Sequence, residues 1–106
     1  MTTIGEILNK FNVDLGLEED VMNIDLGVVP ASEFTGYHTE DHDGKTIHVF
    51  EIDPDEYVIG ELLFDLKDDS LEIVTASKDK ETGEYEPTLG GVWEIDLKSG
   101  LMFEGM

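Results

Sequence analysis

The chain has 106 residues, 40% of them hydrophobic, and its 26 Asp and Glu residues against six Lys and no Arg give a formal net charge of −20 at pH 7. It contains no Cys, which excludes disulfides and cysteine-based zinc sites, and no apolar run approaches the roughly 18 residues that a membrane-spanning helix needs. We expect a single domain over residues 1–106 with its own packed core, because disordered acidic segments are poorer in hydrophobic residues.

The N-terminal segment predicts a short helix. Thr3 and Glu6 have the spacing of a capping box. Apolar residues then recur at helical spacing as far as Phe11. We therefore expect a helix of two to three turns that ends near Asn12.

The rest of the chain alternates apolar and polar residues with period two, which predicts β-strands. The predicted strands are 22–28, 34–39, 46–53, 57–66, 71–77, 92–98 and 101–104. Residues 78–86 are polar and predict a surface loop, and Ser99 with Gly100 predicts a two-residue turn. The whole predicts an α+β fold in which the short N-terminal helix packs on an antiparallel sheet of about five to six strands. Trp93 is expected in the core of this fold.

Acidic residues are spread along the predicted strands and turns and do not form a tail. Same-face neighbours along a strand are about 6.6–6.8 Å apart, and successive phosphates of DNA advance by about 3.4 Å along the axis and are farther apart in space. Rows of strand carboxylates can therefore approximate a phosphate backbone, although any single one also fits an ordinary solvated face. The candidate partner-binding residues are Glu40, Asp41, Asp43, Glu51, Asp53, Asp55, Glu56, Glu61, Asp65, Asp68, Asp69, Glu94 and Asp96, with Tyr85 as an aromatic anchor.

Metal binding and catalysis have little support in the sequence. The region of His38, His42 and His48 contains residue types that bind divalent metals, but we expect His38 and His42 to share a face only on a helix, and this stretch predicts strand and turn. A calcium-loop alignment through Gly44 fails because Thr39 takes the first ligand position. No nucleophile, zinc-protease or phosphate-loop motif is present. We therefore predict no catalytic residue, no metal and no cofactor.

The layout of the chain resembles that of the phage inhibitors of uracil-DNA glycosylase. The resemblance is carried by Met1 and Thr2 before the helix, Ile7 and Leu8 within it, the acidic run 18–20, and residues 85–87 before the last hairpin. It implies an inhibitor of a DNA-processing enzyme. Anti-restriction and anti-CRISPR proteins belong to the same class of small acidic proteins.

These observations predict a DNA-mimic inhibitor, encoded by a phage or mobile element and acting in the cytoplasm. Its partner would be a basic, nucleic-acid-binding protein such as a CRISPR effector, a restriction or repair enzyme, or a DNA-binding regulator. The charge opposes direct binding to nucleic acid or to anionic membranes. Two alternatives remain open: an immunity or antitoxin protein that neutralises a basic nuclease toxin, and an acidic domain of a salt-adapted organism.

Overall fold

The computed structural model describes residues 2–26, 30–52, 60–78, 81–82, 84–99 and 102–105, and for residues 78, 85–91 and 103–105 it describes the backbone alone. The predicted site residues Asp53, Asp55 and Glu56 lie outside the described residues. None of the helices in the described part of the chain has the length and apolar character needed to cross a bilayer.

The described chain forms two short helices followed by one antiparallel sheet. Helix α1 spans Ile4–Lys10, helix α2 spans Glu19–Met22, and a 3-10 turn at Ala31–Glu33 leads into the sheet. The strands are β1 Phe34–His42, β2 Lys45–Ile52, β3 Glu61–Leu66, β4 Ser70–Lys78, β5 Tyr85–Asp96 and β6 Met102–Gly105. Each strand pairs with its neighbours in the chain, in the order β1-β2-β3-β4-β5-β6. The prediction of an α+β arrangement with one antiparallel sheet and a short N-terminal helix is confirmed.

Helix α1 begins with the predicted capping box. The Glu6 backbone N–H donates to Thr3 Oγ1 at 3.1 Å, and the Thr3 backbone N–H donates to Glu6 Oε1 at 3.2 Å. The helix ends at Lys10, two residues before the predicted end, and Asn12 then adopts a left-handed φ of 56°. Asn is one of the few side chains that tolerate this region, which is common just after a helix.

The core contains residues from helix α1 and from one face of the sheet. Ile4, Ile7 and Leu8 are fully buried in the same cluster as Phe50 and Phe64. The cluster also contains Ile73, Trp93 and Ile95, so the prediction that Trp93 is a core residue is confirmed. We call the sheet face that carries Phe50, Phe64 and Ile73 the core face.

The predicted strand at 22–28 is wrong in its described part, residues 22–26. Met22 ends helix α2, and the following residues pair with the start of the chain outside the sheet. The Ile4 N–H donates to the Ile24 carbonyl at 3.0 Å, and the Leu26 N–H donates to the Thr2 carbonyl at 2.9 Å. Alternation specifies an extended segment with one buried side, but it does not specify the partner of that segment.

Two predicted connections also differ from the structure. The predicted loop 78–86 is shorter, because β4 continues to Lys78 and β5 already begins at Tyr85, which is paired with Lys78. At the other end of β5, the strand ends at Asp96 and β6 begins at Met102, so the connection is longer than the predicted two-residue turn. Tyr85 therefore belongs to a strand, where hydrogen bonding to β4 constrains its backbone.

Candidate functional site

The sheet face opposite the core face combines a central apolar row with acidic residues on both sides. Val49, Leu63 and Val74 are directly opposite one another on β2, β3 and β4, and directly opposite residues point to the same face. Residues two positions away along each strand share that face. The acidic residues placed there are Glu51 and Glu61 toward one end, and Glu40, Asp65, Glu72, Glu94 and Asp96 toward the other. We call this side of the sheet the acidic face; Val49 in its central row is fully buried.

Three carboxylates of the acidic face form a row across neighbouring strands. Asp65 on β3 is directly opposite Glu72 on β4, and Glu72 is directly opposite Glu94 on β5. Directly opposite side chains have Cβ atoms about 4.5–5.5 Å apart, and like charges in that position destabilise a sheet. We call Asp65, Glu72 and Glu94 the acidic row.

Among the described residues, Lys67 is the cation that reaches the acidic row. Its Nζ lies 3.9 Å from Glu72 Oε2, and the side chains of Lys67 and Glu72 are 40% and 35% exposed. An exposed ion pair at this distance contributes about 0–1 kcal/mol. Lys67 therefore offsets the repulsion within the row only in part.

A groove of about 510 Å³ opens on the acidic face beside this row. Ile47, Leu63 and Val74 provide its apolar lining. Asp65 and Glu72 of the acidic row line it as well. The lining is completed by His42, the last residue of β1, and by Glu84, which directly precedes β5. The groove therefore combines an apolar lining with three carboxylates, and this volume falls within the range of about 300–1,000 Å³ that is common for ligand sites.

At the edge of the acidic face, two histidines hold the Glu40 carboxylate. His38 Nε2 lies 2.6 Å from Glu40 Oε2, and His42 Nε2 lies 3.1 Å from Glu40 Oε1. His38 Nδ1 also lies 3.2 Å from Glu51 Oε1. The expectation that His38 and His42 share a face only on a helix is wrong, because positions i and i+4 of a strand also point to the same side.

The described histidines do not form a metal centre. In the described ranges, no group of three or more His, Asp and Glu residues is arranged to hold a metal ion. His48 lies on the core face, with its Nδ1 2.8 Å from the Tyr37 hydroxyl and its ring stacked on the Tyr37 ring. Burial lowers the pKa of His48 below 6.5, and burial also raises the pKa of Tyr37 above 10.0.

Four predicted site residues lie in or beside turns and do not belong to the acidic row. Asp41 accepts a hydrogen bond from Thr46 Oγ1 at 3.3 Å near the β1–β2 turn, and Asp43 adopts a left-handed φ of 53° within that turn. Asp68 and Asp69 lie in the β3–β4 connection, where Lys98 Nζ is 3.6 Å from Asp69 Oδ1. Asp is one of the residues that are common in tight turns, so these positions also fit an ordinary turn.

Asp96 lies on the acidic face but is engaged by the turn that follows β5. Its Oδ1 accepts hydrogen bonds from the backbone N–H of Lys98 at 2.8 Å and of Ser99 at 3.4 Å. These two bonds hold the pKa of Asp96 below its usual 3.8. The Asp96 carboxylate is therefore ionised and fixed in direction.

The structure thus brings together some of the predicted residues and adds others. Asp65 and Glu94 join in one row, whereas Glu51 and Glu61 form an opposite pair on the other side of the apolar row. Glu72, which completes the acidic row, was not predicted. Its alternation with the apolar residues of strand 71–77 was a usable signal. The groove depends on the register of the strands and on the position of Glu84 beside them, and the sequence alone shows neither.

Comparison with protein-family models, with curated proteins and with solved structures finds no match for the chain.

Proposed function

We propose that this protein is a non-enzymatic DNA-mimic inhibitor, which acts in the cytoplasm on a basic, nucleic-acid-binding protein. Its acidic face enters the groove where the target binds nucleic acid, and the carboxylates of the acidic row replace phosphates there. Helix α1 packs on the core face, so the acidic row lies on the side of the sheet away from this helix. The targets that fit this chemistry are CRISPR effectors, restriction or repair enzymes, and DNA-binding regulators.

The observation that carries the proposal is the direct opposition of Asp65, Glu72 and Glu94 on three adjacent strands. Opposite like charges reduce the stability of the sheet, and the described cation nearest to them is only a weak partner. Features that oppose stability are characteristic of functional surfaces, where binding and not folding selects the residues.

The net charge of −20 supports the same function at longer range. A surface potential of one sign raises the association rate with an oppositely charged protein, and salt reduces that rate steeply. An immunity protein against a basic nuclease would use the same attraction, but it would block an active site and not a duplex groove. A salt-adapted protein needs acidic residues over its surface and has no need for opposite acidic residues on adjacent strands.

Competition with duplex DNA tests this proposal. The protein is immobilised, proteins from a bacterial lysate are captured at moderate salt, and duplex DNA is then added. A DNA mimic and DNA compete for one groove, so we expect DNA to elute the captured proteins and the immobilised protein itself to bind no DNA. If the captured proteins stayed bound after duplex DNA was added, the proposal would be contradicted and the immunity-protein alternative favoured.

A charge-matched pair of variants makes this experiment specific to the row. The row variant Asp65→Asn, Glu72→Gln, Glu94→Gln removes three negative charges from the acidic row. The control variant Glu18→Gln, Glu19→Gln, Asp20→Asn removes three negative charges from exposed positions at helix α2. We expect the row variant to lose the DNA-displaceable capture and the control to keep it; equal capture by both would contradict a role for the row.

A further inference from the structure

The groove on the acidic face has a chemistry more specific than that of a negatively charged surface. Its lining from Ile47, Leu63 and Val74 suits an apolar group, and the carboxylates of Asp65 and Glu72 lie beside that lining. A ligand that matches both parts has an apolar stem and a cationic head. Phosphates, fatty acids and other anions would be repelled by the carboxylates.

The positions of the two carboxylates favour arginine over lysine as the cationic group. Asp65 and Glu72 are a directly opposite pair on β3 and β4, so their side chains start about 4.5–5.5 Å apart. A guanidinium has five N–H donors in a planar fork and can bind two carboxylates at once, whereas the ammonium of lysine is a compact, strongly hydrated point charge. The aliphatic stem of arginine also buries readily against apolar side chains.

The surroundings of the groove favour a protein as the source of this arginine. Glu94 is exposed and continues the acidic row beyond the groove. A single small cation held between Asp65 and Glu72 would leave Glu94 unused, whereas a basic protein surface presents a further cation to it. Charge complementarity along the whole acidic row therefore points to a partner protein.

We propose that this groove is a socket for one arginine side chain of the basic partner protein. This proposal rests on the proposed function and names the contact that anchors the target. In the complex, the guanidinium takes the place of Lys67 beside Glu72 and neutralises the opposite pair of Asp65 and Glu72. The anchor would be a central, desolvated contact of the kind that dominates binding energy in protein interfaces.

The test uses peptides of alternating Arg and Gly, or of alternating Lys and Gly at the same length, with NMR detection of the Leu63 and Val74 methyl groups. We expect the Arg peptide to shift these methyl signals and to bind at least about threefold more tightly than the Lys peptide. Equal affinity of the two peptides, or shifts that leave the groove methyls unchanged, would overturn the socket. Agmatine, a small molecule with the same guanidinium, distinguishes an arginine of a partner protein from a free guanidinium compound. If agmatine bound as tightly as the Arg peptide, the assignment to a partner protein would be overturned.

A second arm blocks the groove without changing charge. Val74→Phe places a ring in the groove, and Val92→Phe is the matched control, because Val92 is directly opposite Val74 but does not line the groove. We expect Val74→Phe to weaken Arg-peptide binding at least about tenfold, and Val92→Phe to change it little. Unchanged binding to a folded Val74→Phe variant would overturn the socket while the inhibitor proposal stands, because the acidic row is intact in that variant.

A third arm changes exposed residues outside the strands. Glu84 and Glu81 lie in the connection between β4 and β5, both exposed, and Glu84 alone of the two lines the groove. Glu84→Gln should weaken Arg-peptide binding by about threefold, the size of a modest charge contact, and Glu81→Gln should not. Equal effects of the two substitutions would overturn the socket.

Discussion

At the level of single residues, Glu72 occupies the most crowded position of the acidic face, with Asp65 directly opposite on one side and Glu94 on the other. The sequence predicted Asp65 and Glu94 as solvent-facing acids, but it predicted rows along individual strands. In the structure the closest acids are aligned across strands. Strand alternation shows which residues share a side, whereas their alignment depends on register, and a shift of one residue would turn each to the other face.

Repulsion within this row leads to a prediction for stability. We expect Glu94→Gln to raise the free energy of unfolding by about 0.2–1 kcal/mol, because Gln keeps the shape of the side chain and removes a like charge opposite Glu72. Urea unfolding at low salt measures the change. Glu18→Gln is the control, since Glu18 is exposed and its side chain makes no cap hydrogen bond. An equal gain from both substitutions would assign the effect to net charge and not to the row.

His48 predicts a dependence of stability on pH. Burial lowers its pKa in the folded state below the ordinary value of 6.5, which applies to the unfolded chain. Between the folded pKa and 6.5, the unfolded chain therefore binds more protons than the folded chain. The contribution of His48 to the free energy of unfolding is therefore fully present above 6.5 and is lost as the pH falls through the folded pKa. We expect wild type to lose more stability than His48→Gln when the pH falls from about 7 to about 5. An NMR titration of the His48 imidazole with a midpoint at or above 6.5 would contradict this account.

At the level of elements, local chemistry predicted α1 and most strands, and failed where the pairing partner was non-local. The capping box of Thr3 and Glu6 was readable because all its atoms lie within one turn. Segment 22–26 alternates as a strand does, yet it pairs with residues 2–4 outside the sheet. No local signal distinguishes these two partners, and the same limitation hid the groove.

The capping box provides a test at this level. We expect Thr3→Ala to lower the free energy of unfolding by about 1 kcal/mol, because the Glu6 N–H loses its acceptor at the start of α1. Asn9→Ala, at an exposed position inside the same helix, should have no such effect. Thermal unfolding of both variants measures the difference. A Thr3→Ala variant as stable as wild type would show that the cap does not stabilise α1.

At the level of the whole molecule, a net charge of −20 on 106 residues lowers the free energy of unfolding, because the negative charges repel one another in the compact state. The Debye length falls from about 30 Å at 0.01 M salt to about 10 Å at 0.1 M. We therefore expect the thermal midpoint at pH 7 to rise over this range, and to rise less for the row variant than for wild type. A midpoint independent of salt would mean that the acids do not repel one another appreciably in the folded state.

The central claim is that the acidic row is the surface that the target covers, and carboxylate footprinting tests it most directly. Free protein and protein bound to a captured, DNA-displaceable partner are labelled with a carbodiimide and an amine, and mass spectrometry reads the labelling of each Asp and Glu. We predict that labelling of Asp65, Glu72 and Glu94 falls at least about tenfold on binding, while labelling of Glu18 and Glu19 at helix α2 is unchanged. The account would be contradicted if binding protected the acidic residues of helix α2 while the acidic row was labelled as strongly in the complex as in the free protein.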